Sequence, residues 1–343
     1  MHQFHDALVS FAERRVINMK ISKTVAVIVT YNRKKLLMEC LDAILGQTVM
    51  VDKIVLIDNA STDGTKECLE EKGYLGMEVV DYIQMPSNTG GAGGFYEGIK
   101  KAREEKCDWV WVMDDDTIPT PNCLEALLNA YNIIKDSGSE HIGETAVEPS
   151  FLASTVYGAN GEFMNLPHIN LKESDNGYAY WYKLLSDGIV GIRDATFVSI
   201  LINMKAIKKC GLPCRDYFIW GDDSEYTLRL SKYYGDGYLV GKSKAVHKRI
   251  GARALSIDSE VDAKRIKMFH YLYRNQEINN RLYFSLNRKL YYYFAIIFKK
   301  LPILKQKNGW LKYKAYIVGI WESKLQYSKF EKYINKQLND NLP

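Results

Sequence analysis

Three consecutive carboxylates, Asp114, Asp115 and Asp116, close the apolar aromatic run Trp109-Val-Trp-Val-Met113. A short run of this kind makes a buried strand, and Thr117-Ile-Pro-Thr-Pro121 cannot continue it. Three negative charges at the edge of a buried strand are costly without a counter-charge. Carboxylate oxygens suit Mg²⁺ or Mn²⁺. Side chains alternate along a strand, so Asp114 and Asp116 can share one ion while Asp115 faces elsewhere. By themselves these residues are also compatible with a solvated acidic loop. A second acidic element, Asp222-Asp223-Ser-Glu225, follows the aromatic approach Tyr217-Phe-Ile-Trp220. Tyr226 to Tyr234 reads as a helix, so capping accounts for one carboxylate near its start; two adjacent ones exceed that need. Further on, Tyr238 to His247 reads as a strand ending on a lone histidine, either a structural residue or a metal ligand.

The elements that must carry these groups alternate. Val25–Val29 is a buried strand ending in Thr30-Tyr31-Asn32-Arg33, and Lys34–Leu45 is an amphipathic helix. Ile54–Ile57 is a second strand, ending on Asp58-Asn-Ala-Ser-Thr-Asp63-Gly64. Val79–Met85 is a weaker third, leading into Asn88-Thr-Gly90-Gly91-Ala-Gly93-Gly94, and Phe95–Glu105 turns helical. Strands alternating with helices in units of about 30 residues indicate a doubly wound α/β sheet. Ligands bind beyond the carboxyl ends of such strands, where all four polar clusters fall. The glycine run is neither GxGxxG after the first strand nor a Walker loop, which disfavours NAD and P-loop chemistry. Its glycines let backbone approach a ligand closely or open the next helix.

Taken together, the first strand's Thr-Tyr-Asn-Arg, the second's Asp58-Asn-x-Ser-x-Asp-Gly and the acidic triplet resemble the family 2 glycosyltransferases over roughly residues 23–275. The resemblance implies a GT-A fold, a mostly parallel doubly wound sheet with a C-terminal helical extension. It implies an inverting transfer from a nucleotide-diphosphate sugar, with Mg²⁺ or Mn²⁺ as cofactor. Asp114, Asp116 and His247 would surround the metal, and Asp223, with Asp222 second, would be the base. Asp58 would contact the nucleotide base and Arg33 the nucleotide. Thr30, Tyr31, Asn88, Gly90, Gly91, Asp114 and Asp115 would line the donor pocket, with Trp220 and Glu225 toward the acceptor. Asn88 to Phe95 resembles galactofuranosyl and rhamnosyl transferases, which favours UDP-galactofuranose over dTDP-rhamnose. Tyr271-Leu-Tyr-Arg274-Asn275 resembles an element at the end of the family's catalytic domain. A nucleotide-sugar nucleotidyltransferase is the competing class; it wants a basic Gly-rich signature after the first strand.

Composition bounds the rest. The chain has 343 residues, 47% hydrophobic and 25% charged, enough for one large domain and an appendage. Expected divisions are an N-terminal extension (1–20), a catalytic domain (21–275, divided at 120 into donor and acceptor halves) and a basic aromatic extension (276–343). Residues 1–20 lack the sustained apolar core of a signal peptide. Six cysteines without a CxxC pair read as reduced thiols, hence a cytoplasmic protein. Residues 242–343 hold 22 Lys+Arg against 7 Asp+Glu, whereas residues 1–241 hold 24 against 34. Such asymmetry suggests a tail that meets an anionic membrane face. The acidic body and the lack of a recognised motif argue against nucleic acid. Leu282 to Leu304 reads as an interfacial helix or a packed hairpin. Its longest apolar run, Leu290–Phe298, falls well short of the ~20 residues that span a bilayer. The expected setting is the inner face of the cell membrane, with a glycan or lipid-linked acceptor. An oligomer is possible.

Overall fold

A computed structural model describes residues 22–138, 148–174, 176–249, 254–284 and 300–340. The N-terminal extension and most of the Leu282–Leu304 segment lie outside them.

Strand β1 (Thr24–Thr30) is the centre of the N-terminal half of the sheet, pairing in parallel with β2 (Lys53–Asp58) and β4 (Trp109–Asp114). Strand β3 (Val80–Gln84) adds in parallel to β2. Each strand alternates between two apolar layers because successive side chains leave on opposite faces. Ala26, Ile28, Trp109, Trp111 and Met113 pack into one, against helix α1 (Lys34–Leu45) and helix α4 (Cys123–Gly138). Val25, Val27, Val29, Val110 and Val112 pack into the other. A short helix, α2 (Thr65–Glu71), joins β2 to β3.

Helix α3 (Gly90–Glu104) begins inside the glycine run rather than after it. Hydrogen in place of Cβ lets this helix lie close on β1, as expected where glycines face a strand.

Beyond β4 the sheet becomes mixed. Strand β10 (Ile200–Asn203) pairs antiparallel with both β4 and β6 (Phe151–Tyr157). Strand β11 (Gly237–His247) pairs in parallel with β6 and antiparallel with β9 (Ile189–Asp194). A turn at Asn160-Gly161 joins β6 to the two-residue β7 (Phe163–Met164), and β8 (His168–Ile169) pairs with β9. Thr117–Pro119, expected to break the chain direction, forms a short strand of its own, β5, antiparallel to the end of β11. Asp115 and Asp116 make the turn between β4 and β5. Pro119 is tolerated there as the last residue of a three-residue strand. Helix α5 (Met204–Cys210) follows β10, and α6 (Asp222–Tyr233) precedes β11.

Helix α7 (Ala263–Tyr283) runs through the expected boundary at residue 275 and packs along α8 (Gly309–Asn339). Phe269, Tyr273 and Tyr316 form the core of that contact, Tyr273 meeting Tyr316 edge-on at 4.9 Å. A Cβ at Gly319 would lie 2.5 Å from the His270 carbonyl oxygen, so the close approach requires glycine there. Among the described residues no helix is long and apolar enough to cross a membrane.

Candidate active site

Pairing between β5 and β11 assembles the first acidic group. His247 stands opposite Thr117, and the Lys248 amide donates to the Asp116 carbonyl at 2.8 Å. Asp114, Asp116 and His247 thereby each offer a ligand atom, all within 4.8 Å of one another. His247 Nδ1 lies 2.9 Å from Asn165 Oδ1. Donating to that oxygen, a neutral imidazole turns its Nε2 lone pair toward Asp116 Oδ1, 3.1 Å away. The carboxylate oxygen is buried and accepts no hydrogen bond. Two lone-pair atoms facing each other in a buried site fit a shared divalent cation. Burial, then the charges of Asp116 and Asp115, push the Asp114 carboxyl well above the ordinary carboxylate range. A cation would relieve that cost.

Asp115, in the turn after β4, engages the end of β1 instead. Its carboxylate accepts from Thr30 Oγ1 at 2.7 Å, the Tyr31 amide at 3.4 Å and Arg33 at 3.3 Å. Burial raises it to about 6 against the pull of Arg33. The Arg33 guanidinium also meets Asp116 Oδ2 at 2.6 Å and supplies the triplet's counter-charge in this structure. Tyr31 beside it is exposed.

Other donor-half residues take up supporting roles. Asp58 is fully buried, with one oxygen accepting from the Ser61 amide (2.8 Å) and the other from the Tyr82 hydroxyl (2.7 Å). Direct contact with a nucleotide base therefore requires the side chains covering Asp58 to move. Asn88 Oδ1 accepts from Asn59 Nδ2 and the Gly90 amide. Gly91 faces open space. Gly90 does not leave room for a ligand: at φ +73° it lies under the Phe218 carbonyl, whose oxygen would sit 2.0 Å from a Cβ. The Ala92 amide donates to the same carbonyl at 3.1 Å.

This contact joins the donor half to the loop Asp216–Gly221, which delivers the second acidic group. Phe218 has φ 65° and ψ −62°, and the Ile219 amide donates to the Tyr217 carbonyl at 2.8 Å, the rare and strained form of γ-turn. Trp220 also has positive φ, 60°. Such geometry persists only where surroundings over-determine it. Helix α7 does so. Asn275 Nδ2 donates to the carbonyls of Tyr217 (3.1 Å), Ile219 (3.0 Å) and Trp220 (2.6 Å). Arg274 donates to Asp216 and Tyr217, and Asn279 to Gly221. The Trp220 ring rests on Phe269, centroids 5.1 Å apart.

Out of this loop α6 starts with Asp222 and Asp223. Burial, then the charge of Asp223, push Asp222 well above the ordinary carboxylate range. Burial raises Asp223 only to about 6, opposed by the Ser224 amide on its Oδ1 at 2.7 Å. Of the two, Asp223 ionises first and is the better base. Asp222 also acts electrostatically on Asp114, so the two acidic elements converge.

Glu225, expected toward the acceptor, does not face the site. It is fully buried, paired with Arg229 at 3.0 Å and accepting from the Tyr283 hydroxyl at 2.6 Å. A buried carboxylate three residues into a helix finds its partner one turn on, at i+4. Two neighbours went unnoticed in the sequence. Asn165 carries no motif, and Asp194, whose charge raises Asp223, lies at the end of an ordinary strand. Tyr178, Tyr180 and Tyr182 are exposed side chains, while Lys248 pairs with Glu39.

Residues 25–137 match the profile described as glycosyl transferase family 2. Galactofuranosyltransferase GlfT1 of Mycolicibacterium smegmatis is 36% identical over 104 residues, 30% of this chain and 33% of that protein. The poly(ribitol-phosphate) beta-glucosyltransferase of Bacillus spizizenii is 36% identical over 127 residues, 36% of this chain and 18% of that protein. The chain thus spans a third or less of these relatives' length. The fold resembles that of GalNAc-T7 in complex with UDP, GalNAc and Mn²⁺, with TM-score 0.57 at 14% identity, covering 93% of this chain and 58% of that one. With its mixed sheet, flanking helices and the acidic turn after β4, the chain has a GT-A-type fold in which residues 25–137 match glycosyl transferase family 2.

Proposed function

We propose that the protein is an inverting glycosyltransferase that moves a sugar from a nucleotide-diphosphate donor onto a glycan or lipid-linked acceptor. The convergence of Asp114, Asp116 and His247 with Asp222-Asp223 carries this reading. Asp114, Asp116 and His247 hold the divalent cation, which supplies charge neutralisation for the departing diphosphate. Arg33 lies beside them and pairs with the diphosphate or nucleotide once its carboxylates are engaged. Thr30, Tyr31, Asn88 and Gly91 line the donor pocket, with Asp58 and Asp115 fixing its floor from behind. Asp223 accepts the proton of the acceptor hydroxyl as that oxygen attacks the anomeric carbon. Trp220 flanks the acceptor.

UDP-galactofuranose is the proposed donor. Support comes from the Asn88–Phe95 pattern and from the name of the galactofuranosyltransferase relatives. The proposed setting is the cytoplasmic membrane face. Incubating the protein with Mg²⁺ or Mn²⁺, a panel of nucleotide sugars and glycoside acceptors tests the reading. Transfer with release of nucleoside diphosphate is expected, and Asp223→Asn should abolish it while UDP still binds. Release of pyrophosphate, or full turnover by that variant, would overturn the assignment.

A further inference from the structure

We propose that the outward face of helix α8 is a docking surface for an anionic lipid bilayer. The helix buries Ala315, Tyr316, Gly319 and Phe330 on its inward side. Opposite them, Trp310 is 71% exposed, Trp321 62%, Leu325 67% and Ile317 44%. Steps of seven, four and four residues place these side chains in one stripe. Lys314, Lys324 and Lys332 project from the same face and are exposed. The helix's two glutamates are engaged, Glu322 with His270 and Glu331 with Tyr327. Residues 300–340 hold 9 Lys against 3 Asp+Glu.

Tryptophan interleaved with lysine is the chemistry of a bilayer interface. The indole sits at headgroup level, and the lysine stem lies along apolar surface while its ammonium reaches lipid phosphate. A second copy of this chain fits less well, because a two-fold contact through this face would set lysines against lysines. The stripe is also well placed. Helix α7 packs on α8 through Tyr273 and Tyr316, and the same cluster carries Phe269, on which Trp220 rests. A bilayer on α8 is therefore one helix away from the base loop. Delivery of a membrane-embedded acceptor across that distance rests on the glycosyltransferase reading; the surface itself does not.

Co-sedimentation of the full chain with vesicles tests the proposal. Vesicles containing phosphatidylglycerol should bind at least tenfold more tightly than pure phosphatidylcholine, and salt should weaken the binding. The double variant Trp310→Glu/Trp321→Glu should lose at least tenfold in partitioning, with an unchanged thermal melt and monomeric mass. Lys314→Glu/Lys324→Glu should lose at least tenfold on the anionic vesicles and little on the neutral ones. Equal binding by the tryptophan variant, no preference for anionic lipid, or a wild-type dimer that the variant dissociates would each overturn it. Absence of sugar transfer with intact vesicle binding would refute the catalytic reading alone.

Discussion

Replacing Asn275 by alanine should disable the base loop without touching either acidic group. Asn275 Nδ2 serves three carbonyls, those of Tyr217, Ile219 and Trp220. With two N–H groups shared among the three carbonyls and about 1 kcal/mol net for each full bond, the loop loses about 2 kcal/mol of restraint. Phe218 and Trp220 at positive φ store of the order of 1–3 kcal/mol each. With the restraint gone, relaxation of that strain competes directly with the observed geometry. A preference change of about 2 kcal/mol is a population change of roughly thirtyfold. Since Asp222 and Asp223 start the helix at the end of this loop, kcat should fall by about that factor at saturating donor. UDP affinity should change by less than about threefold, because β1 to β4 carry the donor half. Isothermal titration with UDP, beside initial rates of UDP release, reads both numbers. Asn275→Asp, which puts an acceptor where the three carbonyls need a donor, should be at least as impaired. A kcat within threefold of wild type for either variant would refute the clamp.

Other outcomes follow from the same geometry. Asn165→Ala frees the His247 ring and should weaken Mn²⁺ binding by about 10–100-fold, read by electron paramagnetic resonance; unchanged affinity would remove Asn165 from the metal group. Asp223 must ionise to act, so the transfer rate should rise with pH through about 6 and level off above it. The stability sign is opposite, because a carboxyl raised above 3.8 by burial withdraws stability as pH climbs from about 4 to about 6; a pH–rate profile flat from 5 to 7 would exclude Asp223 as the base. Glu225→Gln leaves the Arg229 charge buried without its anion and should cost about 3–5 kcal/mol of stability in urea titrations. An unshifted midpoint would contradict the structural role given to Glu225.

How far the sequence discloses this site depends on how local each contact is. Strand ends disclose themselves: the apolar runs ending at Thr30, Asp58 and Asp114 become β1, β2 and β4, and their polar residues do meet at one sheet edge. The strand ending on His247 is likewise legible from its pattern. Its approach to Asp116 is not, because that depends on β5, three residues of poor strand character whose partner lies about 130 residues away. Glu225 shows the opposite failure. Adjacent to two site carboxylates, it looks like one of them, yet Arg229 at i+4 and Tyr283 on another helix draw it into the interior.

The glycine run shows why local reading misassigns residues whose purpose is contact with a distant segment. Gly90 and Gly91 look interchangeable in the sequence, but Gly91 faces open space, while Gly90 admits the Phe218 carbonyl. That one contact ties the start of α3 to a strained loop about 130 residues away, and Asn275 on α7 holds the loop from its other side. Asp222 and Asp223 are therefore positioned by three elements at once: helix α3, the loop itself and helix α7. Such an arrangement links helix α3 physically, through the Phe218 carbonyl and the loop, to the helix that begins at Asp222. It also accounts for the polar character of α7, whose buried Arg274, Asn275 and Asn279 would be costly in any helix that packed on apolar side chains alone. Those three side chains face main-chain carbonyls, and a strained turn exposes carbonyls that no regular element can satisfy.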